Sequence, residues 1–195
     1  MDAPGFDFTR GIRNVIEDMI DRIPELSHIN LDRVAIAFAQ ARNRSRYGTH
    51  ATLTPMRFEG GRLTTRKHGR TYAVQRLYSP AGEEMLYILT FYLPRFMDVD
   101  FNEKLVTILH ELWHISPEFD GDIRRHPGRC YAHTHSQKEY DAKMQVFVDR
   151  WLSSNPHDEL MRFLRLDFGE LSHRHGKVIG IRIPTPKLIA INASV

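Results

Sequence analysis

Residues 105–140 read LVTILHELWHISPEFDGDIRRHPGRCYAHTHSQKEY, and the interpretation of this stretch decides the fold. Within it His110, Glu111 and His114 form the pattern His-Glu-x-x-His. On an α-helix, residues four apart stand one above the other on the same face. Both imidazoles can then reach one metal ion at the roughly 2.0–2.1 Å of a zinc–nitrogen bond. Glu111 projects beside them, placed to take a proton from water.

The helix that this reading needs is legible without the motif. Asp100 and Glu103 make a D-x-x-E start of the capping-box type just before an apolar run. Phe101, Leu105, Ile108, Leu109, Leu112 and Ile115 repeat at helical spacing, opposite a polar stripe of Glu103, Thr107, His110, Glu111 and His114. Pro117 disfavours helical geometry in the residue before it, so the helix is expected to end near Ser116.

A catalytic zinc site usually has three protein ligands, so one more is needed. Asp120 lies six residues beyond His114, as in short-turn zinc helices. There a glycine supplies the turn, and here the position is Pro117, which cannot take positive φ. Glu139 already has a local role, pairing with Ser136 in a second capping box, S-x-x-E. His135 directly precedes that cap, at a rigid helix start, and is the preferred third ligand; His133, further back in the loop, is the alternative. Cys130 reads more simply as a lone thiol. Tyr131, Tyr140 and the arginines of residues 122–129 are candidates to stabilise an oxyanion, by nearness in sequence alone.

Outward from the motif, Ile12, Val15, Ile16, Met19, Ile20 and Ile23 mark an amphipathic helix, begun near Asp7 or Thr9 and closed by Pro24. Residues 33–41 (RVAIAFAQA) read as a strand. Residues 51–58 and 62–65 flank Glu59-Gly60-Gly61 as an expected hairpin, and residues 71–77 and 85–93 flank a second turn at Ser79–Gly82. The strand at 85–93 is nearly all apolar. It is either a central core strand or a half-buried one whose edge holds an extended peptide. A helix from Ser136 carries Tyr140, Met144, Phe147 and Trp151; a short helix at 158–166 and a late strand at 178–183 follow.

The 195 residues suit one domain with a substantial core, and the whole chain, 1–195, is read as that unit. An acidic start without a signal pattern and a single cysteine predict a reducing, cytoplasmic setting. The net charge of +3 gathers in runs at residues 42–46, 62–70 and 124–129, which read first as solvated loops and second as a surface for a polyanion such as DNA. No zinc-finger, helix-turn-helix or RNA-binding signature accompanies them.

HELWHISPEFDGDIRRHPGRCYAHTHSQKEYD, with the flanks YILTFYLPRFMDVDFNEKLVTI and KVIGIRIPTPKLI, resembles the phage metallopeptidase family of bacteria and their viruses. More distantly, the order of helix, loop and histidine before a second helix is similar to minimal zincins of the SprT and Spartan kind. The resemblance implies an α+β, zincin-like fold: a small, mainly antiparallel sheet packed on the motif helix and a second helix. It implies a zinc-dependent peptidase acting on proteins or peptides. His110, His114 and His135 would hold Zn2+, and Glu111 would be the general base. The competing expectation is a zinc-stabilised module without turnover that recognises DNA or a partner protein.

Overall fold

The computed structural model describes residues 5–41, 48–125 and 137–191. In chain order these form β1 (Phe6–Asp7), α1 (Phe8–Arg22), β2 (Val34–Gln40), β3 (Ala51–Pro55), β4 (Thr64–Lys67), β5 (Arg70–Val74) and β6 (Tyr87–Leu93). Then follow α2 (Phe101–Trp113), α3 (Gln137–Ser153), α4 (Asp158–Met161), α5 (Phe168–His175), β7 (Val178–Ile179) and β8 (Leu188–Ile191). The described residues thus make a mixed α+β fold with small sheets and five α-helices.

The sheet that positions the site has the order β2-β6-β3. β2 runs parallel to β6, and β3 runs antiparallel to it. Period-2 alternation divides the side chains cleanly. Val34, Ile36, Phe38, Ala51, Leu53, Tyr87, Leu89, Phe91 and Leu93 turn to the main core, while Ala35, Ala37 and Ile88 join a smaller cluster on the other face. β6, the apolar strand at 85–93, is therefore central, buried on both faces and paired on both edges. The exposed-edge reading of it is corrected: the edge beside the motif helix belongs to β3.

The expected hairpins also resolve differently. β3 leaves its turn without pairing to β4; β4 instead pairs with β5, and β5 with β8, in a separate antiparallel sheet. The second turn does close, with Met85 N–H donating to Leu77 O at 2.9 Å, but β5 and β6 then part into different sheets. Period-2 patterns fix which residues are extended but not which strands pair. Three of the five strand pairings among the described residues are antiparallel. The sheet beside the motif helix, expected to be mainly antiparallel, is however mixed, with β2–β6 parallel and β3–β6 antiparallel.

Three helices cover the core face. α1 starts where the Asp7 carboxylate accepts from Arg10 N–H at 3.0 Å, and it buries Phe8, Ile12, Val15, Ile16 and Met19. α3 buries Met144, Phe147 and Trp151 and is tied to α1 by Trp151 Nε1–H donating to Asp18 Oδ1 at 2.8 Å. α2 lies between α3 and β3. Its Lys104, only 2% exposed, donates through Nζ to Leu164 O at 2.9 Å and Leu166 O at 2.8 Å. Burial lowers the Lys104 pKa, and the two carbonyls supply the partners that a buried ammonium needs.

Candidate metal centre

The motif sits where the sequence places it, in the last turn of α2. Asp100 caps that helix, its Oδ1 accepting from Glu103 N–H at 2.8 Å. The helix ends at Trp113, earlier than Pro117 alone suggests, and His114 is its C-cap. The cause is tertiary. The chain turns back on itself through an Ile115–Ile123 bridge, and Arg124 N–H donates to His114 O at 2.7 Å. Arg124 Nε–H also takes the Trp113 carbonyl at 2.8 Å, and its guanidinium lies 3.9 Å from the indole centroid. Two carbonyls that a helix end would leave unpaired are thereby satisfied.

The returning loop is held tightly at its far end. Gly121 has φ +89, and a Cβ there would fall 2.4 Å from Arg57 Cγ, so only glycine fits without displacement. Tyr87 Oη accepts from Gly121 N–H at 3.0 Å and donates to Asp122 O at 2.9 Å; burial pushes its pKa up to about 12. Burial alone would raise the Asp122 pKa. The bidentate Arg125 partner and the N–H groups of Ile123 and Gly60 outweigh it and hold the carboxyl below its ordinary value.

His110 and His114 present their rings together, with centroids 4.7 Å apart and planes at 77°. Both are half-buried, so they are reachable from outside. Tyr140 of α3 packs against both, 4.7 Å from the His110 ring and stacked 5.8 Å from that of His114. Glu111, 9% exposed, points to β3, where its Oε2 accepts from Leu53 N–H at 2.7 Å. Desolvation raises its pKa to about 7 against the lowering effect of that hydrogen bond.

Two imidazoles packed ring against ring on one helical face are donors of the kind a zinc site uses. Among the described residues no group of three His, Cys, Asp or Glu side chains converges on one point. His133, His135, Cys130, Tyr131, Ser136 and the Glu139 side chain lie outside the described residues. Asp120 is engaged elsewhere: its Oδ1 accepts from Asp122 N–H at 3.0 Å, and the side chain lies against Gly61. Of the candidate oxyanion donors, Tyr140 alone is brought onto the imidazoles among the described residues; Arg124 braces the helix end and Arg125 pairs with Asp122.

Leu53 is the one member of this arrangement that the sequence gives no means of finding, because it acts through its backbone N–H. Two cavities, of 610 and 800 Å³, lie away from the motif: the first on the second face of the β2-β6-β3 sheet, the second at the outer edge of β2. Neither is lined by His110, Glu111 or His114.

A family model described as "Putative phage metallopeptidase" matches residues 9–145, well over half of the chain and with the whole of α2 inside it. No curated protein and no solved structure matches. Among the described residues no helix is long and apolar enough to cross a membrane.

Proposed function

The chain belongs to the phage metallopeptidase family, and from that premise we propose that it is a zinc-dependent peptidase whose general base is Glu111. Membership implies a metal and peptide substrates. The single observation that carries the assignment to residues is the pairing of His110 and His114 rings at 4.7 Å beside the buried Glu111 carboxylate. His110, His114 and His135 hold the ion in this reading. A zinc ion so held supplies a Lewis acid that polarises a peptide carbonyl and acidifies water.

The chain's own groups do the remaining work. Leu53 N–H fixes Oε2 of Glu111, which leaves Oε1 to accept a proton from the attacking water and later to deliver it to the departing amine nitrogen. β3 supports an extended substrate beside this carboxylate. At the two ends of β3, Tyr92 N–H donates to His50 O at 2.9 Å and Met56 N–H donates to Leu86 O at 3.0 Å, so by strand alternation Ala51 and Leu53 turn their main-chain groups away from β6. With Leu53 N–H taken by Glu111, the Ala51 groups and Leu53 C=O are the ones that would hold the substrate. Tyr140 packs on both imidazoles and restricts their rotation. The reading as a binding module without turnover has no observation that favours it, and association with DNA finds no support in the family match.

The test is cleavage of a mixed peptide library by the full chain, read by mass spectrometry. Cleavage should stop when the metal is chelated and return with one equivalent of zinc. Folded, zinc-loaded protein that cuts nothing in the library overturns the proposal.

A further inference from the structure

The second sheet, with strand order β4-β5-β8, has two outer edges of opposite character. β4 carries Arg66 and Lys67, the charged side chains with which natural edges resist further pairing. β8 reads Leu-Ile-Ala-Ile and carries no charge. All four of its residues are exposed, with Leu188 at 56%, Ile189 at 51% and Ile191 at 43%. Leu63, directly before β4, is 49% exposed as well.

Register shows which main-chain groups of β8 are open. Gln75 N–H donates to Lys187 O at 2.9 Å, and Ala73 stands opposite Ile189 and Thr71 opposite Ile191. Antiparallel ladders alternate, so Lys187, Ile189 and Ile191 turn their N–H and C=O groups to β5, while Leu188 and Ala190 turn theirs outward. Among the described residues those outward groups make no hydrogen bond.

We propose that β8 is a self-association edge: two copies of this chain join antiparallel through β8 about a two-fold axis at Ile189. Pairing Leu188 of each copy with Ala190 of the other satisfies every outward group on both strands, four hydrogen bonds in all. The Ile189 residues then face one another across the axis as a close, non-hydrogen-bonded pair. The product is a six-stranded sheet whose two outer edges are both the charged β4, so growth stops at the dimer. An isologous contact of this kind is self-complementary and closed, unlike a head-to-tail one.

Size sets the strength. The half-exposed Leu188, Ile189 and Ile191 bring roughly 200–300 Å² of apolar surface per copy to the seam, against about 800 Å² per partner in a standard stable interface. The dimer is therefore a weak one, with dissociation in the micromolar range.

Sedimentation of the full chain between about 5 and 200 μM tests it, a range chosen to span micromolar dissociation. The average mass should climb from the 22.8 kDa monomer towards twice that value. Ala190→Pro removes an outward N–H and no β5 hydrogen bond, since proline is tolerated on edges in this orientation. Leu188→Lys puts a charge on the edge and leaves the backbone intact. Both variants should remain monomeric throughout, with circular dichroism unchanged; if Ala190→Pro loses structure, Leu188→Lys decides. Wild-type protein that stays monomeric at the highest concentration overturns the proposal. So does a dimer that persists in the folded variants, and masses beyond the dimer overturn the two-fold closure.

Discussion

The backbone N–H of Leu53 donates to Oε2 of Glu111 at 2.7 Å, joining the edge of β3 to the buried carboxylate of the motif helix. This contact makes the carboxylate's geometry a property of the sheet as much as of α2. It also gives Glu111→Gln a clear expectation. Glutamine keeps an oxygen for Leu53 N–H and so preserves the packing, but its amide takes no proton from water. Turnover should fall by about a hundredfold or more, while zinc content by elemental analysis and the circular dichroism spectrum stay as in the wild type. A variant that cleaves at near wild-type rate removes Glu111 from the role of base.

Half-buried Arg124 should matter to the stability of the α2 end. Its Nε–H holds the Trp113 carbonyl, and its guanidinium covers the indole while Lys143 lies 4.0 Å from the same ring. Arg124→Gln removes the charged hydrogen bond and the ring contact together, at about 2 kcal/mol. In a chain of this length that lowers the melting temperature by roughly 4–8 °C. Arg124→Lys should recover little, because a single ammonium cannot lie flat on the indole and also reach the carbonyl. Full recovery with lysine in thermal melts would show that charge alone is needed.

How far the sequence discloses this arrangement depends on the range of the interactions. α1 and α2 are legible because cap and apolar period are local: Asp100 caps α2 as its spacing predicts, and of the two candidates Asp7 and Thr9 it is Asp7 that caps α1. β8 escapes notice because a four-residue apolar strand after two prolines has no period to read, and its place is set by pairing with β5. α5 escapes too, although its capping box, Asp167 with Glu170, is written in the sequence. At the site His110, Glu111 and His114 follow from helical spacing, but Leu53 contributes a group that every residue other than proline carries. That β3 and not β6 borders α2 follows from strand order, which alternation leaves undetermined.

Acid should loosen the turn that holds Arg57. Glu84 Oε2 accepts from Arg57 at 2.7 Å, with both side chains largely buried, and Arg57 in turn supports the Gly121 loop through its N–H to Gly121 O at 3.0 Å. The Arg57 hydrogen bond is the leading cause that holds the Glu84 pKa below its ordinary 4.5, in spite of desolvation. A carboxylate with a depressed folded pKa contributes stability that is present above its unfolded pKa and lost as pH falls through the folded one. Glu84→Gln should therefore cost clearly more stability at pH 7 than below pH 4.5, where the wild type is losing the same contribution. Denaturant titrations at the two pH values measure this, and equal costs at both would dissociate Glu84 from the acid response.

Metal ligation makes the sharpest distinction among the histidines. His110 and His114 share a helical face and present rings 4.7 Å apart, so alanine at either should strip the zinc at micromolar free metal. For the third ligand the expectation is that His135→Ala weakens zinc binding far more than His133→Ala. Residue 135 stands two positions before α3, whose first residue is Gln137, and a ligand next to an ordered helix needs less ordering than one further back in the connection. Loss of a directly bound imidazole should also exceed the tenfold to hundredfold typical of residues that only support a ligand. Zinc titrations of the variants, with circular dichroism to establish that each is folded, give the ranking. If His133→Ala loses the metal and His135→Ala keeps it, the two exchange roles. If each loses it separately, both histidines bind, and a closed four-ligand site would argue against turnover at this centre.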